Sequence, residues 1–100
     1  NRGTSYDATG DSQRAIDDYS KAIRISPDSS TAYYNRGMSY SELGNYQQAV
    51  CEFDAAITLD PGDADSYEAR ADSYIATGDI FRADQDYAEA ERLRRENLPK

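Results

Sequence analysis

The chain is 100 residues long and carries 11 basic against 19 acidic side chains, a net charge of −8, with no histidine. That balance repels phosphate backbones and anionic membrane surfaces, so nucleic acid and direct membrane contact are not expected, whereas a basic or amphipathic protein segment is. No apolar run approaches the ~20 residues of a membrane-spanning helix, and the length suits one domain with a modest core.

Read in order, the chain predicts helices at about 1 to 9, 12 to 25, 30 to 43, 46 to 59, 64 to 77 and 80 to 96. Apolar residues recur at three- and four-residue steps, as in Ala49, Val50, Phe53, Ala56 and Ile57, which places them on one stripe of a helix. Breaks are expected at Gly10-Asp11, Gly44-Asn45 and Gly78-Asp79. In each, glycine can end a helix in the left-handed conformation and Asp or Asn can cap the next. Ser26-Pro27-Asp28 and Asp60-Pro61-Gly62-Asp63 stop the second and fourth helices.

The same residue types return every 34 residues. Thr31 to Pro61 supplies Tyr33, Gly37, Tyr40, Gly44, Ala49, Phe53, Ala56, Leu59 and Pro61. Its earlier copy has Gly3, Tyr6, Gly10, Ala15, Tyr19, Ala22, Ile25 and Pro27. Its later copy has Tyr67, Ala71, Tyr74, Gly78, Ala83, Tyr87, Ala90 and Leu93, with Arg95 for the proline. Each unit is a pair of helices in which small residues permit close approach and aromatics fill the gap between them. This pattern of aromatic, glycine, tyrosine, alanines, aromatic and proline resembles the tetratricopeptide repeat family. The resemblance implies an all-α, right-handed solenoid of three helix-turn-helix repeats forming one domain. The repeats would span about 1–29, truncated, then 30–63, and 64–97 with a capping helix. It also implies a scaffold for protein contacts rather than a particular ligand.

The departures from that pattern are informative. Where the family usually has leucine stand Arg2, Arg36 and Arg70, and 16 residues after each stands an acid, Asp18, Glu52 or Asp86. One ion pair inside each repeat is expected, since an unpaired charge there is costly; the alternative is that the arginines extend along their stems to solvent. In the last unit Asp84, Glu91 and Arg95 replace the apolar or proline residues of the earlier units, which makes Ile80 to Glu96 the expected polar cap. The opening at Asn1 lies inside a repeat, so further chain upstream is expected and the first repeat should be the less stable end.

In the family the first helices line a concave groove that holds a peptide. Here that face is expected to present Asn1, Thr4, Ala8, Thr31, Tyr34, Asn35, Met38, Glu42, Asp65, Glu68, Ala69 and Asp72. Met38 and Tyr34 would be the adaptable and the rigid apolar anchors, and Asn35 can donate to and accept from a peptide backbone. Asp65, Glu68 and Asp72 make the downstream half acidic. Some family members clamp a free C-terminal carboxylate with basic residues; Asn35 matches one of their asparagines, but Asp65 and Ala69 stand where the bases belong. The alternative for these acids is a plain solvated helix face.

Without histidine there is no conventional Ser or Cys triad, and no catalytic residue is expected. No metal or other cofactor is expected either. Asp60, Asp63 and Asp65 echo a calcium loop that lacks its closing glutamate and read better as caps. Cys51, the only cysteine, excludes an internal disulfide and is expected on an outer face; the compartment stays open, with the cytoplasm favoured. Phe81, where earlier units have Gln13 and Gln47, is expected to fold over the end of the chain, with an exposed self-association patch as the alternative. The leading functional expectation is a non-enzymatic adaptor that binds a peptide. Self-assembly through the N-terminal end or the Ile80-Phe81 patch, or a regulatory arm of a larger protein, stands second.

Overall fold

The computed structural model describes residues 2–96, with side chains from Asp11 to Glu96. Its helices are α1 (Arg2–Ile25), α2 (Ser30–Glu42), α3 (Tyr46–Leu59), α4 (Ala64–Thr77) and α5 (Ile80–Glu96), with no strand among the described residues. The pairs α2 with α3 and α4 with α5 are helical hairpins, and the helices stack in chain order, α1 on α2 and α3 on α4.

Local chemistry sets the hairpin turns. Gly44 and Gly78 adopt φ of 81° and 87°, a region that side chains penalise. The next amides, of Asn45 and Asp79, donate back to the carbonyls of Tyr40 and Tyr74 at 2.9 and 2.8 Å, closing α2 and α4. Ser29 and Asp63 cap α2 and α4 by accepting from the amides of Ala32 at 3.2 Å and Asp65 at 3.1 Å. Asp79 accepts from the amide of Arg82 at 3.3 Å. Asn45 departs from expectation: its side chain makes no capping bond, and the Gly44 turn alone directs the chain into α3.

The break expected at Gly10-Asp11 does not form, and α1 runs through it as one helix. A glycine inside a helix costs only about 1 kcal/mol. Reversal there would be driven by packing of one short arm, residues 2–9, on one side. By contrast α2 and α4 are each held by a helix before and after them, and that two-sided burial makes their turns worth forming.

The core follows the small and aromatic positions. Ala49, Phe53, Ala56, Ala71 and Ala83 are 0% exposed, and a Cβ on Gly37 would lie 2.6 Å from the Phe53 ring. Burial of Phe53 contributes on the order of 2–3 kcal/mol. The equivalent positions of α1 are less covered: Ala15 and Tyr19 are half-buried, because the continuous helix carries residues 2–9 away from them, and Ala22 is exposed.

Two of the three expected ion pairs are present. Arg36 donates to Glu52 at 2.7 Å, and Arg70 donates through Nε and Nη2 to both oxygens of Asp86 at 2.8 Å. The arginines do not reach for bulk solvent. Each also stacks on the tyrosine one turn before it, Tyr33 at 5.5 Å and Tyr67 at 5.4 Å. The Arg2 side chain lies outside the described residues; its expected acid, Asp18, is exposed.

At the far end Asp84, Glu91 and Arg95 are exposed and Arg95 pairs with Glu91 one turn back, so this face of α5 is solvated. Phe81 overturns its expectation: at 73% exposed, beside Ile80 at 50%, it does not fold over the chain end. It occupies a first-turn position of α5 that is polar in the earlier units, Gln13 and Gln47, and that position points outward. Cys51 is exposed, as its outer-face register requires.

Candidate functional site

The face expected to bind is built mainly from α2 and α4. Thr31 and Glu42 are exposed at opposite ends of α2, Asn35 is half-buried between them, and Met38 is 40% exposed. Tyr34 packs its ring 5.8 Å from Phe53. Its hydroxyl is held above its ordinary pKa by burial and then by the carboxylates of Asp65, Asp63, Glu68 and Asp72. Tyr34 and the acids of α4 therefore form one neighbourhood, apolar on its inner side and negative outside.

Asn35, Met38, Ser39 and Glu42 line one wall of a cleft of about 420 Å³ whose other wall is Asp11, Ser12, Ala15 and Tyr19 of α1. Ser12 crosses its floor, donating to Glu42 at 2.7 Å. The cleft offers an apolar patch from Met38, Ala15 and Tyr19, an amide from Asn35 and a carboxylate from Glu42. Such a lining can meet an apolar group and a hydrogen-bonding or cationic group side by side.

Ala69 is not part of this surface. It is 6% exposed and packs with Ala49 and Phe53, because α3 covers that side of α4. Asn1 and the side chains of Thr4 and Ala8 lie outside the described residues.

The acids are also less free than their sequence suggests. Arg94 of α5 donates to Asp65 at 2.9 Å and to Glu68 at 3.2 Å, and the Tyr87 hydroxyl donates to Asp72. That bond, ahead of burial, pushes the Tyr87 pKa up to about 12. Arg94, Tyr87 and Ser12 were not among the residues expected at this site. The signal for Arg94 was available: with Arg95 in place of proline, α5 continues far enough to bring residue 94 beside the start of its antiparallel partner α4.

A second cleft, of about 410 Å³, lies between α3 and α5 over α4. Asp54, Arg70 and Asp86 fill its wall with charges already paired to one another, and Arg82 lies 6.0 Å over the Tyr74 ring. Among the described residues no group of three or more His, Cys, Asp or Glu side chains could hold a metal. No helix among them is long and apolar enough to cross a membrane.

Comparison with solved structures places this geometry among known solenoids. The first TPR domain of Spaghetti (RPAP3) bound to the HSP90 peptide SRMEEVD superposes with a TM-score of 0.84 at 25% identity, covering 97% of this chain and 77% of that one. The second TPR domain of the same protein, with the same peptide, gives 0.81 at 26% identity over 92% and 85%. A MamA structure (MSR-1) gives 0.84 at 22% identity, covering 88% of this chain and 51% of its own length, so the chain spans about half of that protein. No curated protein sequence matches. A tetratricopeptide repeat family model matches residues 4–72, and with the hairpins, turn glycines and small-residue seams described above, the chain belongs to the tetratricopeptide repeat family.

Proposed function

We propose that this protein is a non-enzymatic adaptor that holds a peptide segment of another protein along α2 and α4. The observation that carries the reading is Tyr34, a half-buried aromatic packed against Phe53 whose hydroxyl lies in the field of Asp65, Asp63, Glu68 and Asp72, on the same helix as half-exposed Met38 and Asn35. An apolar side chain of the guest rests on Tyr34 and Met38, its backbone meets the Asn35 amide, and a cationic side chain meets Glu42 or the α4 acids.

The RPAP3 domains hold an acidic peptide, SRMEEVD. This chain argues for the opposite charge. Its binding face carries four exposed acids, Glu42, Asp65, Glu68 and Asp72. The basic group beside them, Arg94, is already shared between Asp65 and Glu68. A basic amphipathic segment suits that field, because opposite charge speeds encounter and fixes register.

The test is a titration of two labelled peptides of equal length, one lysine-rich and amphipathic, the other SRMEEVD, against the wild-type chain and a variant with Asn35→Ala and Glu68→Lys. The basic peptide is expected to bind more tightly, to weaken as salt rises, and to lose about tenfold or more in affinity to the variant. Tighter binding of SRMEEVD, or equal affinity for the variant, overturns the reading.

A further inference from the structure

The cleft between α1 and α2 is the seat of a missing helix. In the α2–α3 hairpin, the positions equivalent to Ala15, Tyr19 and Ala22 are covered by the preceding helix: Ala49, Phe53 and Ala56 are 0% exposed, and Gly37 lies against the Phe53 ring; in α4–α5 the two alanines, Ala83 and Ala90, are likewise buried and Tyr87 is half-buried. In α1 the same three positions are half-buried or exposed. The expected cover of Ala15 and Tyr19, residues 2–9 with Gly3 and Tyr6 at the places of Gly37 and Tyr40, points away along the same continuous helix.

We propose that the seat is filled by residues 2–9 of a second copy of this chain, so that two α1 helices lie antiparallel and exchange their N-terminal arms. Three observations select this occupant. The arm carries the small and aromatic residues, at the 34-residue interval, that fill the equivalent seams of α2 with α3 and α4 with α5. The charges also match: Arg36 with Glu52 and Arg70 with Asp86 pair at 2.7 and 2.8 Å. The equivalent partners are Arg2 on the arm and exposed Asp18 on the seat. Finally, a continuous helix keeps an arm from its own seat while leaving it open to another molecule. A two-fold axis near Gly10 and Asp11 sets residue 2 of one copy opposite residue 18 of the other and makes the exchange reciprocal, so the assembly closes at two.

Asn35, Met38 and Glu42 border the same cleft, so a second copy and a peptide guest compete at this end. The two ideas fail separately, since the peptide titration reads affinity and the experiment here reads mass.

Light scattering on the purified chain across a concentration series is expected to show a monomer giving way to a dimer. Gly10→Ala favours the continuous helix over a turn and should shift the midpoint to lower concentration. Ser12→Pro should leave a monomer, because proline suits the first position of a helix after a turn but disrupts the interior of a continuous one. Arg2→Glu and Asp18→Arg should each weaken the dimer, and the two together in one chain should restore it. A wild-type chain that stays monomeric at the highest concentration overturns the proposal. So does a dimer indifferent to Ser12→Pro, or one that the charge exchange does not restore.

Discussion

Arg36 carries a charge into the seam between α2 and α3 and is stable there because its neighbours take up both of its terminal nitrogens. Glu52, 3% exposed, accepts at 2.7 Å, the Ser20 hydroxyl accepts at 3.1 Å, and the Tyr33 ring faces the guanidinium. The match is incomplete, since Arg36 Nε is buried without a partner among the described residues, whereas Arg70 Nε donates to Asp86. Removing one partner of such a pair strands the other charge, which costs more than the pair itself contributes. Glu52→Ala is therefore expected to destabilise the chain by about 3 kcal/mol. Asp86→Ala should cost less, because Arg70 keeps Asp54 at 2.6 Å. Replacing Arg36 and Glu52 together by leucine should recover most of the loss, as it removes both desolvated groups at once. Urea unfolding of the three variants checks the order; a Glu52→Ala midpoint equal to wild type would show that the pair is only surface decoration.

The helices differ in how many neighbours hold them. α2, α3 and α4 each pack on two sides, while α1 packs on one helix, α2. Local opening free energy falls as buried contacts become fewer, so amides of Arg2 to Gly10 are expected to exchange fastest and those of α3 and α4 slowest. Exchange measured at a dilution that keeps the chain monomeric tests this; faster exchange in α5 than in the N-terminal half of α1 contradicts it. The ends of α2 to α5 were legible to within a residue, because Gly44 and Gly78 need positive φ and the caps follow at fixed offsets. Gly10-Asp11 has the same letters as Gly78-Asp79 but stays helical, because a turn also needs packing on both sides of the helix it ends. On the candidate face, Tyr34 beside the α4 acids was expected from helical spacing. The burial of Ala69 did not, since it depends on where α3 lies. The masking of Asp65 and Glu68 by Arg94 depends on the antiparallel register of α4 and α5.

Across the whole molecule, the arginines join neighbouring units as well as the helices within one. Arg70 reaches 16 residues back to Asp54 as well as 16 forward to Asp86, and Arg36 does the same with Ser20 and Glu52. Each guanidinium thus ties a hairpin to the helix before it. The α3 to α4 joint has a carboxylate at the backward position, whereas the α1 to α2 joint has a hydroxyl. Stability in stacked repeats is a sum of unit terms and nearest-neighbour terms, so these contacts bear on whether the chain unfolds as one body. Asp54 is half-exposed, which limits its contribution to about 0.5–1 kcal/mol. Ser20→Asp should add a similar amount at the first joint, with the new carboxylate accepting from Arg36 as Asp54 accepts from Arg70. Asp54→Ser should weaken the second. The coupling role predicts a specific signature in denaturant: Asp54→Ser should lower the apparent slope of the transition as well as its midpoint, because units that lose their joint unfold over a wider range. Ser20→Asp should steepen it. If both variants move the midpoint and leave the slope unchanged, the arginines stabilise their own hairpins and the units are joined by the apolar seam of Ala49, Phe53 and Ala69 instead.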